Sequence, residues 1–347
     1  MKRVLVLFLV AALVSCGGGE KKEAIGFVKV EYPGLYNQAK TFFAPLPKSA
    51  ISEENPVTPE KVKLGYTLYY DNRLSKDGNI SCNSCHNLAT YGVDNLTKSP
   101  GDDGTLGTRN SPTVLNAALH VAQFWDGREP DVEAQAGGPV LNPVEMGMPD
   151  EAYVVNRLQD IKGYQNMFKQ AFPGEDNPIS YTNMKKAIGA FERELLTPTK
   201  FDHYLSGDKT ALTSAEQKGL KTFVDQGCIA CHMTSLLGGN MYQKTGVYAS
   251  YSETVGATSE DLGRFEVTQK EADKYLFKVP SLRNVEKTAP YFHDGAVESL
   301  DAAIKVMAKI QLNKEITNEQ AKDIVTFLAT LTGEVPPEYA VMPPLPE

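Results

Sequence analysis

Two Cys-x-x-Cys-His pentapeptides constrain this chain more than any other feature of its sequence. They are Cys82-Asn83-Ser84-Cys85-His86 and Cys228-Ile229-Ala230-Cys231-His232. In such a run the two thiols form thioether bonds to the vinyl groups of a haem, and the histidine is the proximal ligand of its iron. Zinc knuckles or redox dithiols are the alternative for paired cysteines, but both runs here carry the histidine. The sequence therefore predicts two covalently bound haem c groups.

The fifth cysteine, Cys16, ends a hydrophobic leader. A positively charged start precedes an apolar run over residues 4–14, which is the layout of a secretory signal. Its last four residues, LVSC, resemble a bacterial lipoprotein box, in which the cysteine is lipidated after residues 1–15 are removed. A transmembrane anchor is the alternative, but the apolar run is too short to span a bilayer. We expect a membrane-tethered periplasmic lipoprotein, with residues 16–45 forming the lipidated N-terminus and a tether.

The composition describes an acidic globular protein. The 347 residues carry a net charge of −8 and are 41% hydrophobic, which argues against large-scale disorder. Basic residues are not clustered, so nucleic acid is not an expected partner. An acidic surface suits a basic electron carrier, although it is equally a common solution to solubility. Without the leader the chain is still long enough for two domains with separate cores.

The two halves of the chain repeat one pattern of helices. A predicted helix precedes each haem motif and starts at Thr58 in the first half and at Thr213 in the second. Gly65 and Gly219 occupy equivalent positions, each six residues before an aspartate. Because glycine disfavours a helix by about 1 kcal/mol relative to alanine, its recurrence indicates that another helix crosses closely there. Each half also ends in a predicted amphipathic helix.

These patterns predict an all-α fold with two cytochrome c-like domains, each wrapped around one covalently bound haem c. Proline breaks the helical pattern at Pro198, where we place the domain boundary. The N-terminal haem domain then spans residues 46–197 and the C-terminal haem domain spans residues 198–334. The proline-rich residues 335–347 are expected to form an extended tail.

Longer runs around the motifs resemble the bacterial di-haem cytochrome c peroxidases. They are CNSCHNLATYGVD, RNSPTVLNAA, VAQFWDGR, LRNVEKTAPYFHDG and the PV…VEM segment from Pro139 to Met146. The resemblance covers the chain from about Pro45 to its C-terminus. It implies a peroxidase whose C-terminal haem takes electrons from a small carrier, either a cytochrome c or a copper protein, and whose N-terminal haem cleaves hydrogen peroxide. It also implies a homodimer.

The same resemblance assigns four residues to the peroxidatic site. Trp125 matches the tryptophan that conducts electrons between the haems, and Phe124 matches a residue that shields the pocket. Gln135 matches a glutamine that lines the pocket, and Glu145 matches the carboxylate above the open iron position. A carboxylate there takes a proton from one peroxide oxygen and returns it to the departing one, which leaves as water. The alternatives are an ordinary buried aromatic for Trp125 and a surface acid for Glu145.

The iron of the C-terminal haem is expected to carry two axial ligands, His232 and Met307. A haem that stores an electron is best ligated by histidine and methionine, because a thioether raises the reduction potential. Met307 matches the family ligand and lies fourteen residues after His293 of the YFHDG run. A core methionine is the alternative, since methionine fills gaps in cores readily. The resemblance also places His293 near a haem propionate.

The resemblance further implies one calcium ion at the seam between the domains. Asn110, Thr288 and Pro290 match positions that bind calcium through an amide oxygen and two backbone carbonyls. Oxygen ligands are the ones calcium prefers. No acidic cluster marks this site in the sequence itself.

One departure from the family concerns the sixth ligand of the N-terminal iron. Many members carry a histidine sixteen residues after the first motif histidine, and it caps the iron until the other haem is reduced. Here that position is Asp102, and no histidine lies between His86 and His120. We therefore expect an N-terminal iron that is open without reductive activation, with His120 as the remaining alternative ligand. Glycine and aspartate residues around Asp102 also predict a mobile loop.

Two other functions remain open on the sequence. A protein-oxidising enzyme like the methylamine-utilisation maturases would also have an open haem, but that group places a tyrosine where Met307 stands. A plain electron-transfer cytochrome has no use for a peroxide pocket built from Trp125, Gln135 and Glu145. A peroxidase is the function that these residues favour.

Overall fold

The computed structural model describes residues 32–257 and 260–347. The predicted signal segment and the predicted lipidation site Cys16 lie outside the described residues. Within the described ranges, no helix has both the length and the apolar character needed to cross a membrane.

Helices dominate the described part of the chain. The α-helices are α1 Leu35–Phe42, α2 Pro59–Tyr69, α3 Cys82–Cys85, α4 Val132–Leu141, α5 Glu151–Gln159, α6 Lys162–Ala171, α7 Tyr181–Glu192, α8 Lys200–Leu205, α9 Ser214–Gln226, α10 Tyr251–Val255, α11 Phe265–Thr268, α12 Leu300–Leu312 and α13 Asn318–Leu328. Short 3-10 turns occupy Asn72–Leu74, Leu88–Thr90, Ala117–Leu119, Cys228–Ala230, Glu271–Asp273, Val285–Lys287, Ala329–Leu331 and Pro337–Tyr339. The helical character agrees with the predicted fold class.

In the described part of the chain, the prediction of an all-α fold omitted a two-stranded ribbon. Strand β1, Tyr242–Lys244, pairs antiparallel with strand β2, Leu276–Lys278, so that Tyr242 lies opposite Lys278. The ribbon lies in the C-terminal half. Its strands are three residues long, too short for an alternating pattern to stand out in the sequence.

The predicted helix starts are confirmed, and each has a local cause. The Thr58 hydroxyl accepts a hydrogen bond from the backbone N–H of Lys61, and Pro59 occupies the first helical position of α2. Thr213 and Glu216 form a reciprocal capping box at the start of α9. These bonds satisfy N–H groups that would otherwise lack partners at a helix end.

The two repeated glycines lie where helices cross in contact, as predicted. A Cβ atom on Gly65 of α2 would clash with the carbonyl oxygen of Ala187 on α7. A Cβ atom on Gly219 of α9 would clash in the same way with the carbonyl oxygen of Asp323 on α13. Each half of the chain therefore brings the helix before its haem motif against its last helix, and only glycine permits that approach.

We predict that Gly219→Ala destabilises the protein, because the added methyl group must push α9 away from the backbone of α13. Overpacking of this kind costs about 1–3 kcal/mol in the free energy of unfolding. Guanidinium unfolding followed by far-UV circular dichroism measures it. Gly138→Ala on α4 is the matched control, since its nearest new contact is at 3.7 Å. Equal stability of Gly219→Ala and the wild type would contradict the close crossing.

The first helix, α1, packs into a core, although the sequence analysis assigned its residues to a tether. Leu35, Ala39 and Phe43 belong to the apolar core of the C-terminal half, together with residues of α8, α9 and α13. The expectation of a tether through residue 45 is therefore wrong for residues 35–42, which form packed helix. Burial of an apolar face is what holds so short a helix in place.

The C-terminal residues 335–347 turn back onto the N-terminal half. The ring of Tyr339 packs at 5.3 Å from that of Tyr66 and at 5.1 Å from that of Phe191. The Tyr70 hydroxyl donates a hydrogen bond of 2.7 Å to the Tyr339 carbonyl. The tail thus covers the core of the N-terminal half and ties the two halves together.

The chain passes between its halves at a buried polar junction. Thr197 is fully buried, and its hydroxyl bonds to the side-chain amides of Asn116 and Asn284, each at 2.9 Å. The two asparagines come from opposite halves, and both adopt left-handed backbone conformations. Since buried polar groups need partners, this arrangement fixes the position of one half against the other.

Candidate functional site

The second haem motif opens into an apolar cavity of about 180 Å³. Helix α9 ends at Gly227, whose φ of 91° suits glycine, and the chain then turns through Cys228–Ala230. Cys228, Cys231 and His232 all line the cavity. Met307 of α12 lines the same cavity, so the predicted pair of iron ligands is brought together.

The first haem motif opens into a second cavity, of about 510 Å³. Cys82 and Cys85 stand at the two ends of α3, and His86 follows directly. The four residues predicted for the peroxidatic site line this cavity too: Phe124, Trp125, Gln135 and Glu145. The fold therefore brings the predicted residues to the same cavity as the motif histidine, although the most distant of them, Glu145, lies 59 positions after His86.

Both motif histidines are arranged to bind a metal through Nε2. The Nδ1 atom of His86 lies 3.0 Å from the Pro112 carbonyl oxygen, and that of His232 lies 2.8 Å from the Leu237 carbonyl oxygen. A carbonyl only accepts, so each Nδ1 carries the proton and each Nε2 keeps a free lone pair. Burial lowers the pKa of both imidazoles, which favours the neutral, metal-ligating form. The four motif cysteines line the same two cavities as these rings. The residues present fit two covalently attached haems.

Glu145 is a carboxyl group held in place within the N-terminal cavity. Its Oε1 atom accepts a hydrogen bond of 2.9 Å from the Asn142 side chain. Burial raises the pKa of Glu145, and the positive charge of Arg128 opposes that rise. Arg128 lies 3.4 Å from the centre of the Phe124 ring and pairs with Asp126 at 3.0 Å. The carboxyl group can therefore exchange a proton without being permanently ionised.

Asp102 is tied into the structure and does not lie in a mobile loop. Its carboxylate accepts hydrogen bonds from the Ser75 hydroxyl and from the backbone N–H groups of Asp77 and Asn79. Its own N–H donates a bond of 2.7 Å to the Glu145 carbonyl. Burial opposes the ionised form, yet these bonds hold the pKa of Asp102 below its ordinary value. The mobility expected at this position is not what the structure shows.

Apart from His86, no histidine lines the N-terminal cavity among the described residues. His120 lines a third cavity instead, of about 110 Å³, and its Nδ1 atom bonds to Lys278. Met146 is a wall residue of the N-terminal cavity, but it belongs to the apolar core cluster. The alternative that His120 caps the N-terminal iron therefore has no support in this geometry.

Trp125 lines all three cavities and so lies between the two haem sites. Its indole N–H donates a hydrogen bond of 2.9 Å to the Asn110 carbonyl. His293 lies 6.4 Å from the Trp125 ring, lines the C-terminal cavity and stacks on Phe277 at 4.4 Å. Burial lowers the pKa of His293.

Trp125 and His293 are equivalent residues of an internal repeat that the sequence analysis missed. The runs QFWDG, at 123–127, and YFHDG, at 291–295, each close a short turn with a β-bridge. Phe124 and Phe292 both adopt a left-handed backbone, with φ of 65° and 72°. That conformation is unfavourable for a bulky residue, so the surrounding contacts must impose it. The shared letters F, D and G would have revealed the repeat.

The residues predicted to bind calcium meet in the third cavity. Asn110, Thr288 and Pro290 all line it. The Asn110 side-chain nitrogen donates to the Leu96 carbonyl at 2.8 Å, which leaves its amide oxygen available. Among the described residues, no group of three or more His, Cys, Asp or Glu side chains is placed to hold a metal ion. A cation here would rest on amide and carbonyl oxygens, as calcium sites allow.

Sequence reasoning missed several polar residues of the N-terminal cavity, among them Arg128, Asn142 and Glu192. Asn142 bonds to Glu145, and Arg128 packs on Phe124. Glu192 of α7 is 4% exposed, and burial raises its pKa to about 8. An acid among the apolar residues Ile188, Phe191 and Leu195 was the available signal, because unpaired buried carboxyl groups are costly.

The model of the di-haem cytochrome c peroxidase family matches residues 59–210. The cytochrome c551 peroxidase of Nitrosomonas europaea is 41% identical over 322 residues, which cover 92% of this chain and 94% of that protein. The methylamine utilization protein MauG of Methylorubrum extorquens is 36% identical over 306 residues, which cover 84% of this chain and 83% of that protein.

A solved structure has a similar fold over most of the chain. It is the crystal structure of a MauG-like protein associated with microbial copper homeostasis, with a TM-score of 0.74 and 29% sequence identity. The match covers 86% of this chain and 95% of that chain.

Proposed function

The chain belongs to the di-haem cytochrome c peroxidase family, and on this premise we propose that it reduces hydrogen peroxide without prior reductive activation. Relatives named cytochrome c551 peroxidase, at 41% and 43% identity, establish that it is a di-haem peroxidase. The finer proposal is carried by one observation. The N-terminal cavity contains His86 and Glu145 but no second histidine among the described residues.

The two cavities divide the work of a two-electron reduction. When bound, a haem held by His86 would supply the site of peroxide reduction, and a haem held by His232 would supply a stored electron. Each peroxide consumes two electrons and two protons and yields two waters. Trp125 lies in the wall that separates the cavities, so we assign it the electron path between them.

Glu145 is proposed to move the proton that makes water the leaving group. Its carboxylate accepts a proton from one peroxide oxygen and gives it to the other, so that the O–O bond breaks with loss of one water. The two donor electrons and two protons from solvent then convert the remaining oxygen to the second water. Burial favours the return of the proton, while Arg128 keeps the carboxylate form accessible. The Asn142 side chain holds Oε1, and Gln135 and Phe124 complete the wall of the cavity.

Asp102 is proposed to keep the N-terminal iron position open. Its side chain faces the turn at residues 75–79, to which it is bonded three times. A carboxylate engaged in this way is unavailable to the iron, and the peptide that carries it is held against Glu145. The C-terminal iron, by contrast, is proposed to be closed by His232 and Met307.

We further propose a periplasmic protein that is tethered through a lipid on Cys16 and dimerises. The support is the layout of the leader and the resemblance of the chain to its family. The electron donor would be a small cytochrome c or copper protein, and a net charge of −8 suits a basic one. A calcium ion is proposed at Asn110, Thr288 and Pro290, where oxygen atoms remain available.

A protein-oxidising function is the second candidate, because an open haem also suits a maturase. The MauG protein at 36% identity is similar over most of the chain. Met307 opposes this candidate, because a thioether ligand suits a haem that accepts electrons from a carrier.

The proposal predicts that the fully oxidised protein reduces peroxide as soon as it meets a reduced donor cytochrome. Stopped-flow mixing should show donor oxidation with no lag, at the same rate as in a sample whose C-terminal haem was reduced beforehand. His120→Asn should likewise show no lag, since His120 lies outside the N-terminal cavity. A lag that pre-reduction removes would show that the iron is capped. No turnover in either state would favour the maturase-like function.

A further inference from the structure

His120 and Lys278 meet at the third cavity, and Lys278 also lines the C-terminal haem cavity. The Lys278 Nζ atom lies 2.7 Å from the Nδ1 atom of His120. Lys278 is 7% exposed, and the His120 Nε2 atom is buried without a hydrogen-bond partner within the described ranges. Neither residue belongs to the proposed peroxidatic site. A buried basic pair of this kind needs an explanation, because each charge in it is costly.

The contact between the two side chains can hold only one proton. A charged Lys278 donates to a neutral imidazole, or a protonated His120 donates to a neutral amine. Protonation of both groups would place two positive charges 2.7 Å apart in a dry environment. The pair therefore titrates as one site between a neutral state and a state with one positive charge.

No carboxylate in the described part of the chain hydrogen-bonds to the Lys278 ammonium group. Asp126 is the carboxylate whose charge raises the pKa of Lys278. It is already paired with Arg109 at 2.5 Å and with Arg128 at 3.0 Å. Other titratable groups lie on the elements around Lys278. Tyr242 is its partner across the ribbon, and His232, His293 and Tyr291 line the C-terminal cavity with it.

These surroundings place the protonation of the pair near neutral pH. Burial lowers the pKa of Lys278 to about 7, and Asp126 opposes that shift. Burial and then Lys278 hold the pKa of His120 well below its ordinary value. The positive charge is present below this pH and is lost as the pH rises through it.

Lys278 connects this proton to the path of the electron. It lines both the C-terminal haem cavity and the third cavity, and its backbone N–H donates to the Trp125 carbonyl at 2.8 Å. A positive charge beside a haem stabilises the reduced state of its iron. By reciprocity, an electron on that haem makes the neighbouring pair bind its proton more tightly.

We propose that His120 and Lys278 form a single proton-binding site linked to the reduction of the haem in the C-terminal cavity. One proton from solvent binds the pair when one electron arrives from the donor. The proton leaves again when the electron passes towards Trp125 and the N-terminal haem. The pair thus compensates the charge of the stored electron.

The test is the reduction potential of the C-terminal haem in the full, haem-loaded protein, titrated through neutral pH at fixed calcium. The wild-type potential should fall as the pH rises, by about 59 mV in total for each tenfold difference in proton affinity between the two redox states. Lys278→Met should lose this dependence and have the lower potential at acid pH. His120→Asn should retain it with a shifted midpoint, because Lys278 remains.

Lys218→Met is the control, since this lysine is 44% exposed and pairs with Glu319 at the surface. It should leave the pH dependence unchanged. If the reduction potential of Lys278→Met fell with pH as steeply as that of the wild type, the proposal would be overturned. Should Lys278→Met not fold, proton uptake on reduction can be measured with an indicator dye in the wild type and His120→Asn. Absence of uptake near neutral pH would also overturn it, and neither readout depends on peroxide turnover.

Discussion

Glu145→Gln is expected to lower peroxide turnover by about 10²–10⁴-fold, the usual contribution of a positioned general acid–base group. The amide keeps the size of the side chain and an oxygen for the Asn142 bond, but it cannot exchange a proton. The pH profile gives a second readout. Because Glu145 acts first as a base, and burial raises its pKa, wild-type turnover should decline as the pH falls through that pKa. The variant should lack this acid limb.

Steady-state oxidation of a donor cytochrome by peroxide measures both effects. Glu151→Gln is the matched control, since Glu151 is an exposed acid six residues further along the chain. Its turnover should equal that of the wild type. Wild-type activity with an unchanged pH profile in Glu145→Gln would show that the carboxyl group is a bystander, and another group of the cavity, Glu192 first, would take its place.

Met307→Leu is the second large expected effect, and it acts on the other haem. Leucine is close in volume to methionine, so a merely structural side chain would tolerate the exchange at a cost below about 1.5 kcal/mol. Loss of a thioether ligand would instead lower the reduction potential of the C-terminal haem by tenths of a volt, within the roughly 0.8 V that axial ligands span. A donor matched to the wild type would then reduce this haem poorly.

Spectroelectrochemistry and the sulfur-to-iron absorption of the oxidised protein are the measurements. Met184→Leu, in the core of the N-terminal half, is the control and should leave both unchanged. An unaltered potential in Met307→Leu would make Met307 a core residue. The effects of the two substitutions should also be separable, because Met307 and Glu145 line different cavities. Glu145→Gln should keep the wild-type potential of the C-terminal haem.

The loop at Asp102 shows how a sequence pattern misleads when side-chain partners are distant. Glycine and aspartate around this residue indicated mobility, but the carboxylate anchors a turn 23 to 27 residues earlier in the chain. The same composition suits an exposed loop and a tightly bonded one. The loop becomes tightly bonded only where Ser75, Asp77 and Asn79 lie within hydrogen-bond distance of the carboxylate.

Local features of the chain were readable without a structure. The haem motifs and the caps at Thr58 and Thr213 each depend on residues a few positions apart. The glycines at the helix crossings are recognisable because a close contact permits only that residue. Helix capping and glycine packing have strong residue preferences. These features predicted two helical halves, each with one haem site.

Long-range pairings needed the tertiary structure. His120 and Lys278 are 158 residues apart, and neither has a local pattern that names the other. Helix α1 crosses to the C-terminal core and the tail crosses to the N-terminal core, because an apolar face packs wherever a complementary surface is left. Patterns in sequence record the geometry of neighbouring residues along the backbone. The approach of distant residues is decided by how whole faces pack, and here that packing sets a buried basic pair beside the C-terminal haem cavity.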